Sequence, residues 1–281
     1  MDFEGSILDI QFDLLHWFDD YGRDWIPWKL KADGSKPESG EVLSPYGIWI
    51  AEVMLQQTQL KVVIPYWEKW MQKFPSLDHL VQADEQDVLM LWQGLGYYSR
   101  AKRISKSSKL LIQFIGKNYI RYPLHWPIEI DQWTSLPGIG RSTAGSIISS
   151  AFDLPTPILD GNVKRILCRL TASEIPASQS QKRLWELSSL LISINNPRNF
   201  NQALMDLGAM VCTVVKPNCS CCPVRNFCVA YINYDPLEFP KNEMKKIKPI
   251  EEIGIGLVFN KNGDLLIDQR LESSSMGGMW E

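Results

Sequence analysis

Four cysteines, Cys212, Cys219, Cys222 and Cys228, stand at the spacing C-x6-C-x2-C-x5-C. Four thiolates closing on one short loop are what an iron–sulfur cluster needs. Structural zinc competes for Cys219-x2-Cys222. Zinc motifs, however, pair two C-x2-C units across a longer gap, and here the outer cysteines stand singly. A disulfide framework belongs to short exported chains rather than to one of 281 residues. Cys168 reads as core filling, and Cys221, beside Cys222, leaves the third ligand ambiguous. Lys216, Pro217, Asn218, Pro223 and Arg225 make the stretch a tight basic loop.

Carboxyls carry a second chemistry. From Val42 to Leu60 the only charge is Glu52, set in Ile48-Trp49-Ile50-Ala51-Glu52-Val53-Met54-Leu55, a helix apolar almost all round. A carboxylate there is costly unless paired or protonated, so its pKa is expected to rise toward neutrality. That is how a general acid is made. The alternative is a partly exposed helix Glu touching Gln56 at i+4. Asp160 follows Pro155-Thr156-Pro157-Ile158-Leu159 and reads first as a helix N-cap. It can also face Glu52 across a cleft, kept ionised by the helix N-terminus. One neutral acid and one anion suit cleavage of a glycosidic bond through an oxocarbenium-like transition state.

Leu136-Pro137-Gly138-Ile139-Gly140-Arg141-Ser142-Thr143-Ala144-Gly145 places two glycines around one apolar residue before a small-residue helix start. Such a turn leaves free backbone N–H groups pointing one way and holds a phosphate without side-chain charge. This is the helix-hairpin-helix arrangement used for contact with a DNA backbone whatever its sequence; an ordinary turn between helices is the alternative.

The elements that must position these groups are mostly helices. Helical periodicity runs through Phe12, Leu15, Trp17 and Phe18 and through segments near 46–60, 63–73, 84–93, 99–115, 142–151, 161–171, 180–194 and 199–211. Residues 31–41 read as an exposed loop, and Pro and Lys take over at 232–250 as in a linker. Beyond it, Ile253–Phe259 and Leu265–Ile267 flank Asn260-Lys261-Asn262-Gly263, a hairpin signal. With 45% hydrophobic residues the chain can bury a sizeable core, in two lobes. No apolar run approaches membrane-span length and no secretory signal is expected. A net charge of −3 argues mildly against nucleic acid, but the charges are uneven. Acids crowd the first 24 residues, and bases gather at Arg100, Lys102, Arg103, Lys106 and Lys109 and at Lys164, Arg165 and Arg169.

Six blocks in order carry a resemblance: Trp49 to Gln59, Gly94-Leu95-Gly96-Tyr97-Tyr98-Ser99-Arg100, Leu136 to Gly145, Ile158 to Arg165, Asn201 to Ala209, and the cysteine loop. The chain closely resembles the A/G-mismatch adenine DNA glycosylases of the helix-hairpin-helix base-excision repair family, over roughly residues 8–231 plus the linker. The resemblance implies a mainly α, two-lobed glycosylase over 1–231. Residues 46–155 would form a six-helix lobe with the hairpin motif, and 1–45 plus 156–231 a lobe with a [4Fe-4S] cluster loop. Then come a linker at 232–250 and, at 251–281, the truncated β start of a Nudix-like domain that checks for 8-oxoguanine. No Nudix box occurs, so no pyrophosphate hydrolysis is expected.

The same resemblance implies roles. Glu52 protonates the flipped adenine and helps activate water, Asp160 stabilises charge on the sugar, Asn162 supports that pair and Ser142 lines the site. Gln57 and Tyr97 act as wedges in the opened stack, Leu95 lies beside the opposite base, and Gly138, Gly140 and Arg141 contact the backbone. The cluster ligands are Cys212, Cys219, Cys222 and Cys228, with Cys221 the spare. The partner is double-stranded DNA carrying A·8-oxoguanine or A·G mispairs, met by a cytoplasmic, nucleoid-associated monomer. The similar thymine-glycol endonucleases, pyrimidine-lesion glycosylases that also cleave the strand, carry a Lys where Ser142 stands. A serine cannot form their Schiff base, so base removal without strong β-elimination is expected.

Overall fold

Each helix of this chain has one apolar stripe to bury, and the pairing of those stripes decides the architecture. The computed structural model describes residues 4–116, 126–242, 252, 254, 256–271 and 280. Helix α1 (Ile7–Tyr21) buries Ile10, Leu14, Trp17 and Phe18 on one face. Helix α2 (Pro45–Leu55) begins where the Gly47 N–H donates to Ser44 Oγ and Pro45 takes the first position. It is followed by α3 (Leu60–Lys73), α4 (Leu77–Gln82), α5 (Glu85–Trp92) and α6 (Ser99–Ile115). Then come α7 (Ile130–Thr134), α8 (Arg141–Phe152), α9 (Gly161–Leu170), α10 (Gln181–Leu191), α11 (Pro197–Met210) and α12 (Val229–Asn233).

These helices sort into two apolar cores. One joins α2 to α8 around Trp49, Trp70, Trp92 and Trp133, with Ile26, Trp28 and Leu43 from the segment before α2. Each of those four indoles is fully buried and removes on the order of 200 Å² from water, several kcal/mol of driving force apiece. The other core joins α1, α9, α10 and α11 around Leu14, Leu167, Leu191 and Phe200. Helix α11 packs on α1, α8 and α9, which makes it the strut between the cores.

The helix expected over 46–60 stops at Leu55, and the cause is a buried cation. Arg100 Nη1 donates to the carbonyls of Val53 (3.1 Å), Met54 (2.7 Å) and Gln56 (2.5 Å). Its Nη2 donates to Thr58 Oγ1 (3.1 Å) and to the carbonyls of Leu95 and Gly96 (both 3.2 Å). One guanidinium thus satisfies the last carbonyls of α2 and ties the 56–58 loop to the 95–96 loop. Helices α4, α7 and α12, of five or six residues, fall outside the expected segments because periodicity cannot register so short a run.

The stretch expected to become a linker at 232 stays packed for ten more residues. Phe239 is buried, and Arg169 Nε donates to the carbonyls of Pro236 (2.9 Å) and Phe239 (3.1 Å). Residues 1–242 form one compact body and 243–281 a second. In the second, Asn260–Gly263 makes the expected turn, with Leu266 N–H donating to Val258 O at 2.8 Å. Its expected strands appear among the described residues only as isolated bridges, Phe259 with Leu265 and Gln269 with Trp280. Among the described residues no helix is long and apolar enough to cross a membrane.

Replacing Arg100 by Met leaves a set of buried carbonyls without a donor. The expected loss is roughly 3 kcal/mol or more of folding stability, read as a lower urea midpoint. Arg100→Lys should recover little of it, because a single ammonium cannot reproduce the fork. Wild-type stability in the Met variant would overturn this account of how the two loops are joined.

Candidate active site

Helices α2, α8, α9 and α11 and the segment 23–29 enclose a cavity of about 330 Å³. Glu52 projects into it from α2, Ser142, Thr143 and Ser146 from α8, Asp160 and Asn162 from the start of α9, and Met205 and Asp206 from α11. Ser146 Oγ donates to Glu52 Oε1 at 2.8 Å. Protein surrounds the Glu52 carboxyl except where it meets the cavity, and that burial pushes its pKa up to about 7. The Ser146 hydrogen bond opposes the rise, the charge of Asp160 adds to it, and Lys29 opposes it.

Asp160 serves as the cap that its position suggests and also faces the cavity. Its Oδ1 accepts the Val163 N–H at 2.8 Å, and Asn162 Nδ2 lies 3.5 Å from its Oδ2. The expectation that the helix start keeps it fully ionised is only half met. Burial raises its pKa, while the helix N–H groups, Arg165 and Lys164 pull it back. The Leu159 N–H donates to Ser142 Oγ at 2.9 Å, which ties the segment leading into Asp160 to α8. Gly208 lets α11 approach: a Cβ there would stand 2.5 Å from Asn162 Cβ.

Behind Asn162 lies Arg165, buried on α9. Its Nη2 donates to Asn162 Oδ1 (2.9 Å) and Gly208 O (2.7 Å), and its Nε to Cys212 O (2.8 Å). A hydrogen-bonded chain therefore runs from the cysteine loop to Asp160. Cys212, Cys219, Cys222 and Cys228 line one cavity with Arg169, Asn218 and Arg225, while Cys221 is exposed outside it. Burial, with the neighbouring thiols adding, pushes Cys222 up to about 12 and raises Cys219 and Cys228. Arg169 Nη1 lies 3.2 Å from Cys212 Sγ. Among the described residues no three His, Cys, Asp or Glu side chains meet closely enough for a single metal ion. Four thiols lining one cavity are a donor set that fits a four-thiolate group.

The hairpin turn stands on the same side as Ser142. Gly138 adopts φ +83°, which an L side chain resists, and its carbonyl accepts Gln56 Nε2 at 3.2 Å. Gly140 and Arg141 are exposed at the start of α8. Gln57 (φ 60°) and Tyr97 (φ 48°) are exposed and both left-handed, in the two loops that Arg100 joins. Non-glycine residues in that region store strain, which gathers at functional loops. Leu95 is not brought to the surface; it is 6% exposed and packs into the first core.

Sequence reasoning missed Ser146, Lys29, Arg23 and Asp206. Arg23 donates to Asp206 Oδ1 through Nε (2.9 Å) and Nη2 (2.6 Å), and its backbone N–H to Oδ2 (2.7 Å). Lys29 Nζ stands 3.6 Å from Asp206 Oδ2 with no hydrogen-bond partner among the described residues, and burial lowers its pKa to about 8. Asp206 lay in plain view, an acid inside the apolar face of α11. Its cation partners sit some 180 residues away in sequence, and no local spacing announces them.

The chain is 40% identical over 220 residues to an adenine DNA glycosylase of Buchnera aphidicola subsp. Baizongia pistaciae, covering 78% of this chain and 58% of that protein. It is 42% identical over 221 residues to the adenine DNA glycosylase of Mus musculus, covering 78% of this chain and 41% of that one. The chain thus spans only about half the length of these relatives. Among solved structures, a thermostable thymine-DNA glycosylase matches with a TM-score of 0.66 at 22% identity, covering 81% of this chain and 97% of that one. An endonuclease III–DNA complex follows at 0.60 and 20%, covering 80% and 95%. These two likenesses establish the fold. Residues 50–189, which hold Glu52, the hairpin and Asp160, match the HhH-GPD superfamily of base excision DNA repair proteins, and the chain belongs to it.

Proposed function

We propose that this chain hydrolyses the N-glycosidic bond of adenine mispaired with 8-oxoguanine or guanine in duplex DNA. The observation that carries the reading is one cavity holding Glu52, a carboxyl near neutrality, together with Asp160 at a helix start. The relatives named adenine DNA glycosylase supply the base. Extruding a nucleotide costs a few kcal/mol, least at a mispair. Glu52, which keeps a substantial protonated fraction near neutral pH, donates to the purine ring and loosens its bond to the sugar. As positive charge grows on the sugar, Asp160 gains an ion to face, and the N–H groups of α9 hold its anionic form ready. The Glu52 carboxylate left behind then takes a proton from the attacking water.

Ser142 accepts a backbone hydrogen bond and holds no amine, so the base is released without an imine forming between this position and the sugar. Gln57 and Tyr97, both exposed, would enter the opened stack as wedges, and Leu95 would lie beside the opposite base. Cys212, Cys219, Cys222 and Cys228 would hold a [4Fe-4S] cluster. When bound, that group supplies four covalent ties that fix the loop, and Arg165 passes the position of Cys212 on to Asn162. In this reading 46–155 is the six-helix lobe, 1–45 plus 156–231 the cluster lobe, and 251–281 the start of a Nudix-like domain. The protein works as a monomer on DNA in the cytoplasm.

Three tests follow from these roles. Single-turnover excision should be fast for adenine opposite 8-oxoguanine, slower opposite guanine and slowest opposite cytosine; equal rates on all three would sink the mispair specificity. The Glu52→Gln variant should lose about 10²- to 10⁴-fold in rate, and wild-type excision should fall as pH rises through about 7, where the acid loses its proton. The sign for stability is opposite to that of a salt-bridged acid. The folded chain holds a proton the unfolded chain gives up at ordinary carboxyl pH, so wild-type stability declines between about 4.5 and 7. Glu52→Gln should therefore be the more stable protein at pH 8 and show less advantage at pH 5. In Arg165→Met, excision should slow at least about tenfold. Affinity for a duplex carrying an uncleavable adenosine analogue should stay near wild type; an unchanged rate would remove Arg165 from the positioning chain.

A further inference from the structure

An open groove lies beside the hairpin, outside the catalytic cavity, walled by Arg141, Lys182, Arg183 and Trp185. Its near edge is one residue from the cavity, since Arg141 precedes Ser142. The Arg141 guanidinium lies 4.0 Å over the Trp185 ring, an arrangement that holds a long, exposed cation in one place. Among the described residues no carboxylate lies within ion-pair distance of Arg141 or Lys182. The nearest acid in the groove, Glu186, stands 3.7 Å from Arg183 on the solvent side, where such a pair is worth little.

The placement of the two α10 cations is itself unusual. Lys182 and Arg183 occupy the first turn of α10, which contains no acid. Positive charge at a helix N-terminus opposes the macrodipole, and unpaired N–H groups there add to the repulsion. A bound anion reverses the sign of every one of these contributions. The same few residues would then present side-chain cations and backbone donors to one ligand.

We propose that this groove seats the phosphate backbone of the DNA arm that continues past the hairpin contact, with Lys182 and Arg183 each meeting a phosphate and Trp185 holding Arg141 against a third. The proposal rests on the DNA-repair reading above and extends it to a helix that no motif singled out. The contact is blind to sequence, because phosphates position a duplex without reading it.

The test is the salt dependence of binding by the full chain to a mispaired duplex. Each phosphate contact contributes about 0.9 to the slope of log affinity against log salt. Lys182→Gln/Arg183→Gln should therefore lower the slope by nearly 2. Between about 50 and 200 mM salt the wild type should lose about tenfold more affinity than this variant. Excision at saturating enzyme should remain at the wild-type rate, and Lys182→Arg/Arg183→Lys should keep the wild-type slope. An unchanged slope in the Gln variant overturns the groove as a phosphate track. Absent adenine excision by the wild type would instead strike the proposed function, and the slope comparison would still read the groove.

Discussion

One buried guanidinium, that of Arg165, donates to Cys212 O, Gly208 O and Asn162 Oδ1 and so joins the cysteine loop, α11 and the first turn of α9. Asp160 caps that same turn, and its carboxylate oxygens are shared between the helix and the cavity. A fork this rigid transmits position: moving Cys212 moves the carbonyl that anchors Arg165, and with it the amide beside Asp160. Gly208 allows the arrangement, because a methyl group there would push α11 off Asn162. The cavity is thus held from behind by charged hydrogen bonds rather than by apolar packing alone, and such bonds are the stronger ones.

Arginines do this repeatedly here. Arg100 joins the loops of Gln57 and Tyr97, and Arg169 joins the cysteine loop to Pro236 and Phe239. Arg198 binds Ser150 O on α8 and the Glu38 carbonyl before α2. None of these four cations reaches the surface to any extent. The clusters at 100–109 and 164–169, which in the sequence suggest a basic face, contain three of the four. Burying them spends positive charge on architecture, on a chain whose net charge is already −3.

Local rules reached some of this and not the rest. Glu52 stands out in the sequence as a lone charge in an apolar helix, and the structure places it beside Asp160. Gly138 announces the turn because few other residues tolerate its φ of +83°. What spacing cannot report is side-chain direction in a loop: Leu95 and Tyr97 are two apart in one motif, yet one is buried and the other exposed. Nor can it pair Lys29 and Arg23 with Asp206, since that ion cluster exists only after α1 and α11 have packed. The end of α2 was hidden for the same reason. Its terminator is Arg100, more than forty residues downstream, rather than a Gly or Pro in the helix itself.

The balance inside the cavity also needs the third dimension. Burial raises the pKa of both Glu52 and Asp160, and the charge of Asp160 adds to the rise at Glu52. Two equal acids so placed would share a proton indefinitely. Here the N–H groups of α9 favour the anion at Asp160, whereas Glu52 accepts one hydroxyl and is the only charged residue on its helix. The asymmetry assigns the proton to Glu52. The Ser146 hydrogen bond and, more weakly, Lys29 across the cavity pull Glu52 back toward ionisation. An acid held well above 7 would give up its proton reluctantly, and one well below would have none to give. Burial, set against the Ser146 hydrogen bond, holds Glu52 where both donation to a base and later acceptance from water are accessible.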